Sequence, residues 1–253
     1  MTESHILLDH IVLVVITLVW PLSEWRWYYP LSVRAIAAGT PGARARLYRN
    51  SVVPQWVFSG CIIALWAFRG RPWAALMLGP STLRRLGIAL AFAALIFGLL
   101  WQQRRALFRR PNWPELVRRS LGHADPLVPR TKGEHRGAIL VAVTAGICEE
   151  LLFRGFVMWY FLAFWPATRL GLIFAIAATS ILFGFGHIYL GARQVGTSAI
   201  GGLLFAAVAG VAGSLLPAMM LHAALDLNSF DLGYRALSKT GNAGADPAVQ
   251  AIS

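Results

Sequence analysis

The sequence predicts an all-α, polytopic integral membrane protein, a helical bundle of seven to eight transmembrane helices. Three observations predict it. Of the 253 residues, 57% are apolar and only 13% are charged, against roughly 45–50% and about 25% in a soluble domain. The apolar residues gather in runs close to the length, about 20 residues, that a helix needs to cross the hydrocarbon core. The 23 Lys and Arg outnumber the 11 Asp and Glu, for a net charge of +12, and almost all of these charges fall outside the runs. A disordered chain and an ordinary soluble enzyme are excluded by this pattern. Cys61 and Cys148 are too few for a disulfide framework and lack metal-site spacing.

Candidate spans run over 6–22, 52–69, 84–103, 137–155, 156–168, 170–189, 196–213 and 215–232. The first ten residues hold Glu3 and Asp9 and no Lys or Arg. A secretory signal starts basic, so the first run is expected to be a retained helix. Residues 23–51 carry Arg26, Arg34, Arg44, Arg46 and Arg49 against the single acid Glu24. Residues 104–136 carry eight Arg and Lys132 against Glu115, Asp125 and Glu134. The positive-inside rule makes both of these loops cytoplasmic and puts the N-terminus outside. Residues 70–83 are then external, although Arg69, Arg71, Arg84 and Arg85 flank them; here the rule fits worst. The run 156–165 (FVMWYFLAFW) is short for a span and ends at Pro166. It either continues the preceding helix or turns back within the membrane.

The chain divides accordingly into N-terminal transmembrane helices with basic loops (1–136), an apolar core (137–232) and a tail expected to be disordered (233–253). The basic loop 104–136 reads as a surface for anionic headgroups. The expected partners are membrane lipids and a peptide or protein substrate, not nucleic acid, and the sequence sets no oligomeric state.

After Arg136 ionisable groups are few, and placing one in the apolar core costs about 2.5–3.5 kcal/mol on insertion scales. Six of them form three constellations. In Glu149-Glu150-x-x-x-Arg154, Glu150 and Arg154 lie four apart and pair on one helix face, leaving Glu149 free to face a cavity. In Phe183-Gly-Phe-Gly-His187, Phe183 and His187 share a face, and the glycines let another group approach the imidazole. In His222-x-x-x-Asp226, the acid is placed to accept a hydrogen bond from one ring nitrogen and fix which nitrogen faces the cavity; Asn228 is a nearby polar alternative. A carboxylate, two imidazoles and an orienting acid are the inventory for activating water and stabilising an oxyanion.

These motifs, in this order on successive helices, resemble the CPBP family of intramembrane proteases, which includes CAAX prenyl endopeptidases and bacteriocin-processing or Abi-like proteins. The family pattern is Glu-Glu-x-x-x-Arg, then Phe-x-x-x-His, then His-x-x-x-Asn or Asp. The stretches EELLFRG at 149–155 and GSLLPAMMLHAALDL at 213–227 are also similar to it, and the resemblance covers about residues 137–230. It implies a glutamate-dependent endopeptidase without a cofactor, in which Glu149 with His187 activates water. His222 with Asp226 stabilises the oxyanion, and Glu150 and Arg154 support the site. The best-known members have Asn at the position of Asp226. An ionised Asp cannot donate to an oxyanion, so Asp226 is either protonated or, the favoured reading, orients His222 while the imidazole donates. The alternatives are a zinc peptidase with Glu149, His187 and His222 as ligands and a non-catalytic immunity, scaffold or transport protein. The substrate is expected to be a prenylated CAAX-like peptide, a leader peptide or a sorting tail, and the setting a bacterial inner membrane.

Overall fold

The computed structural model describes residues 3–165 and 168–243, and these fold into helices with no strand among them. The N-terminal rod consists of α1 (Glu3–Val14), α2 (Trp20–Ser23) and α3 (Tyr29–Ala37), joined by π turns at Val15–Val19 and Glu24–Tyr28. Each π turn precedes a proline, Pro21 or Pro30. Proline donates no backbone hydrogen bond and its ring crowds the carbonyl four residues back, which widens the turn before it. Next come α4 (Ala43–Phe68), α5 (Leu83–Phe108) and the short α6 (Trp113–Leu121). Thr131 and Glu134 form a capping box that starts α7 (Lys132–Glu150). A π segment, Leu151–Val157, carries α7 directly into α8 (Met158–Phe164). The bundle closes with α9 (Arg169–Phe185), α10 (Ala192–Ala212) and α11 (Leu216–Ala243).

Several expectations change here. Residues 23–51 are not a loop: only 38–42 separate α3 from α4. The run 156–165 continues the preceding helix; Pro166, its expected end, lies outside the described residues. The expected disordered tail is helical over 233–243, because Ala236 is buried on the apolar face of α6 formed by Trp113 and Val117; residues 244–253 lie outside the described residues. Among the described residues four helices are long and apolar enough to cross a membrane: Leu7–Ala37, Ala43–Phe68, Leu83–Phe108 and Ala192–Ala212. The chain is an integral membrane protein, but the expected seven to eight spans are not reached by this measure. α9 has 17 residues, while α7 and α11 mix apolar turns with the charged residues Glu149, Glu150, Asp226 and Asp231.

One hydrophobic cluster joins Ile16, Ile62, Trp66 and Leu76 to Phe156, Phe183, Phe205 and Leu221. This cluster therefore draws residues from both sides of residue 136. The arginines that strained the topology argument are accounted for. Arg69 and Arg71 both bond the buried Asp9, at 2.8 and 2.6 Å, and the Arg71 guanidinium lies over Trp159 at 4.4 Å. Two of the four flanking arginines thus share one buried counter-charge, which reduces their net charge from +2 to +1. At the basic end, the 3-10 segment Gly122–Leu127 is tied down by Tyr29, whose hydroxyl donates to the His123 carbonyl, and by Tyr48, which donates to Leu127 O at 2.9 Å.

Candidate active site

α7, α9 and α11 bring the three motifs together. α7 and α11 meet closely at Gly146, where a Cβ would lie 2.7 Å from the backbone nitrogen of Ala223; no residue but glycine permits this approach. His222, beside Ala223, is thereby set against Glu150, one turn from Gly146. Gly184 serves a different contact from the expected one. It admits the Val195 carbonyl of α10, 2.5 Å from where a Cβ would stand, and so packs α9 on α10.

Glu150 and Arg154 are wholly buried and pair at 3.0 Å. The same carboxylate oxygen, Oε1, accepts from Nδ1 of His222 at 2.8 Å. Glu150, not Asp226, is therefore the acid hydrogen-bonded to His222. Asp226 Oδ2 stands 3.7 Å from Nε2, the other ring nitrogen. Counting along one helix finds the partner four residues away; it cannot find one 72 residues away across a helix interface. Nε2 of His222 also lies 3.9 Å from Glu149 Oε2, and Nε2 of His187 lies 4.0 Å from that same oxygen. His187 Nδ1 sits 2.9 Å from the Phe183 carbonyl. A carbonyl only accepts, so Nδ1 carries a proton; in the neutral ring Nε2 then presents a lone pair to Glu149. Glu149 Oε2 has no hydrogen-bond partner among the described residues.

Aromatic rings wall this cluster. Phe183 meets His187 and His222 edge-on at 5.0 and 5.7 Å. Phe205 of α10 stacks on His222 at 4.5 Å with 12° between planes. The Arg154 guanidinium lies 4.2 Å from the Phe183 centroid and 5.3 Å from that of Phe205, a cation–π contact that offsets part of its burial. Phe205 belongs to no motif, and nothing in its sequence context marks it.

Two cavities meet at Glu149, His187 and Tyr189. One, about 60 Å³, is lined on its far side by Trp20 and Glu24 of the N-terminal rod and is large enough for a few water molecules. The other, about 450 Å³, includes Val141, Ala145 and Asp226 and reaches Val128 at the basic end. Glu149, His187, His222 and Asp226 thus form one cluster. Among the described residues no three His, Cys, Asp or Glu side chains are grouped as metal ligands.

Residues 135–228 match the family described as type II CAAX prenyl endopeptidase Rce1-like. The match is confined to this segment. It spans just over a third of the chain and contains all three motifs, from Glu149 to Asp226. No curated protein and no solved structure matches the chain. The matched segment begins at His135, in the first turn of α7, and ends on α11. The N-terminal rod and α4, which close the cavities, lie outside it.

Proposed function

We propose that this protein is a membrane-embedded endopeptidase of glutamic type, with Glu149 and His187 activating water and His222 stabilising the oxyanion. The observation that carries the reading is the convergence of two imidazole Nε2 atoms on one unpaired oxygen of Glu149 at the junction of two cavities. Separations of 3.9 and 4.0 Å exceed a direct hydrogen bond and suit a bridging water.

The reaction follows from the tautomers. Glu149, assisted by the lone pair of His187 Nε2, takes a proton from water as its oxygen attacks the peptide carbonyl carbon. The carbonyl π pair moves to oxygen. His222, protonated on both nitrogens and charge-balanced by Glu150, donates from Nε2 to that oxyanion. As the intermediate collapses the C–N bond breaks, and the departing amine receives the proton held by Glu149. Arg154 pairs with Glu150 and holds it in place. Asp226 shares the His222 Nε2 side and favours the protonated imidazole by charge. No step uses a metal. The Rce1-like match favours a prenylated CAAX-type peptide over a leader peptide or sorting tail, and the Arg-rich loops suit a bacterial inner membrane.

Cleavage of a farnesylated CAAX peptide by the purified full chain tests the proposal. Glu149→Ala is expected to lower kcat by about 10²–10⁴-fold, the usual weight of a general base, with Tm unchanged or higher. Undiminished cleavage by that variant removes Glu149 from the mechanism. Stoichiometric zinc together with loss of activity in chelator replaces the metal-free reading with a zinc site at Glu149, His187 and His222.

A further inference from the structure

The N-terminal half carries none of the motifs, yet α4 brings polar side chains to the cavity. Ser51, Gln55 and Ser59 stand four residues apart, on one stripe of a helix that packs along α7. Ser51 and Gln55 line both cavities together with Glu149 and His187. Their hydrogen bonding differs. The Ser51 hydroxyl donates to the Leu47 carbonyl at 3.1 Å and is satisfied within its own helix. Gln55 is only 5% exposed, and its carbonyl oxygen Oε1 has no partner among the described residues. Ser59 contacts Cys148 and lines neither of these two cavities. A buried, unpaired amide carbonyl is destabilising, and an apolar side chain would fill the place equally well. Polar groups inside membrane helices concentrate where a transported or reacting molecule binds.

A peptide drawn into an apolar cavity has the complementary need. Each of its backbone N–H groups loses water and must find an acceptor. We propose that Gln55 is a substrate-positioning residue: its side-chain carbonyl accepts a backbone N–H of the bound peptide and holds the scissile carbonyl against Glu149. This assignment rests on the proteolytic reading above. It gives the N-terminal half a direct part in substrate binding.

The test uses the full chain in liposomes, a farnesylated CAAX peptide, and the same peptide N-methylated at one backbone position at a time. Gln55→Met keeps length and volume and removes the amide. Loss of one hydrogen bond is expected to lower kcat/KM about tenfold, mainly through KM, while Tm stays level or rises. N-methylation should cost the wild type about tenfold at one position, and should cost Gln55→Met nothing further there. Should Gln55→Met fail to fold, Gln55→Asn, which withdraws the amide by one methylene, carries the same comparison. A kcat/KM within twofold of wild type, or a fall accompanied by a lower Tm and no position-specific effect of N-methylation, overturns the assignment. Cleavage that needs Glu149 but ignores Gln55 sinks this inference alone. A wild type inert toward the peptide, or one matched by Glu149→Ala, sinks the proteolytic reading and Gln55 with it.

Discussion

Two clusters of buried charge stand in this apolar chain, and they are finished differently. Around Asp9 every carboxylate oxygen is used: Oδ1 accepts from Arg69 at 2.8 Å and from Arg71 at 3.1 Å, and Oδ2 accepts from Arg71 at 2.6 Å. The Arg71 guanidinium is further covered by Trp66 and Trp159. That cluster ties the start of α1 to the end of α4 and to α8. Around Glu149 the bonding is incomplete: Glu149 Oε2, Glu150 Oε2, and Nε and Nη2 of Arg154 have no hydrogen-bond partner among the described residues. Both clusters are buried and ionic, so burial does not distinguish a brace from a site. Saturation does, because an unpaired acceptor beside a cavity is free to meet a substrate or a water molecule.

The comparison breaks most sharply at Asp9. Asp9→Asn leaves two largely covered arginine side chains without a counter-charge, which is expected to cost up to about 3–5 kcal/mol of stability and to lower Tm markedly. The pH profile of cleavage by whatever folded protein survives should not move. Lost cleavage at an unchanged Tm would make Asp9 part of the site instead. Inside the site the two acids facing His222 should separate. Glu150→Gln removes the carboxylate at His222 Nδ1 and is expected to lower kcat/KM about 100-fold or more, whereas Asp226→Asn should lose less than about tenfold. Steady-state kinetics on both variants decide it, and the reverse order would restore Asp226 as the orienting acid.

The smallest expected effect lies at the basic end, on Glu134. Partial burial pushes its carboxyl pKa up. The backbone N–H of Arg130, the Arg44 guanidinium and the N–H of Thr131 outweigh this and hold it below the ordinary 4.5. A depressed pKa in the folded state means stabilisation that is complete above the unfolded value and lost as pH falls through the folded one. Glu134→Gln should therefore flatten the decline of Tm below about pH 4.5. The change at neutral pH, after solvent screening, should be at most about 1 kcal/mol. A decline in Tm identical to wild type would show that the capping box adds nothing to acid stability.

Much of the site was legible because the membrane makes charge expensive. Glu149, Glu150, Arg154, His187, His222 and Asp226 stand out in a nearly uncharged half, and the pairing of Glu150 with Arg154 follows from spacing on one helix. The partner of His222 is not legible in the sequence, since Glu150 reaches it across the α7–α11 contact that Gly146 allows. Gln55 was overlooked although its signal was present: an uncharged polar group in the middle of an apolar run. Phe205 gave no signal, because one phenylalanine in an apolar helix looks like any other. Charge and polarity in the sequence suggest earlier ends for α3 and α11 than the structure has. Continuous hydrogen bonding and the α6 contact carry both helices further.

By itself, the sequence determined the helical class, the membrane setting and the set of groups available for chemistry. Those follow from apolar run length, charge placement and residue identity, which are properties of the chain. Only the tertiary structure decided which acid holds which imidazole nitrogen, which carboxylate oxygen stays unpaired, and that α4 helps to line the cavity. Those depend on distances between helices far apart in sequence, and close packing, unlike periodicity, is written in no single segment.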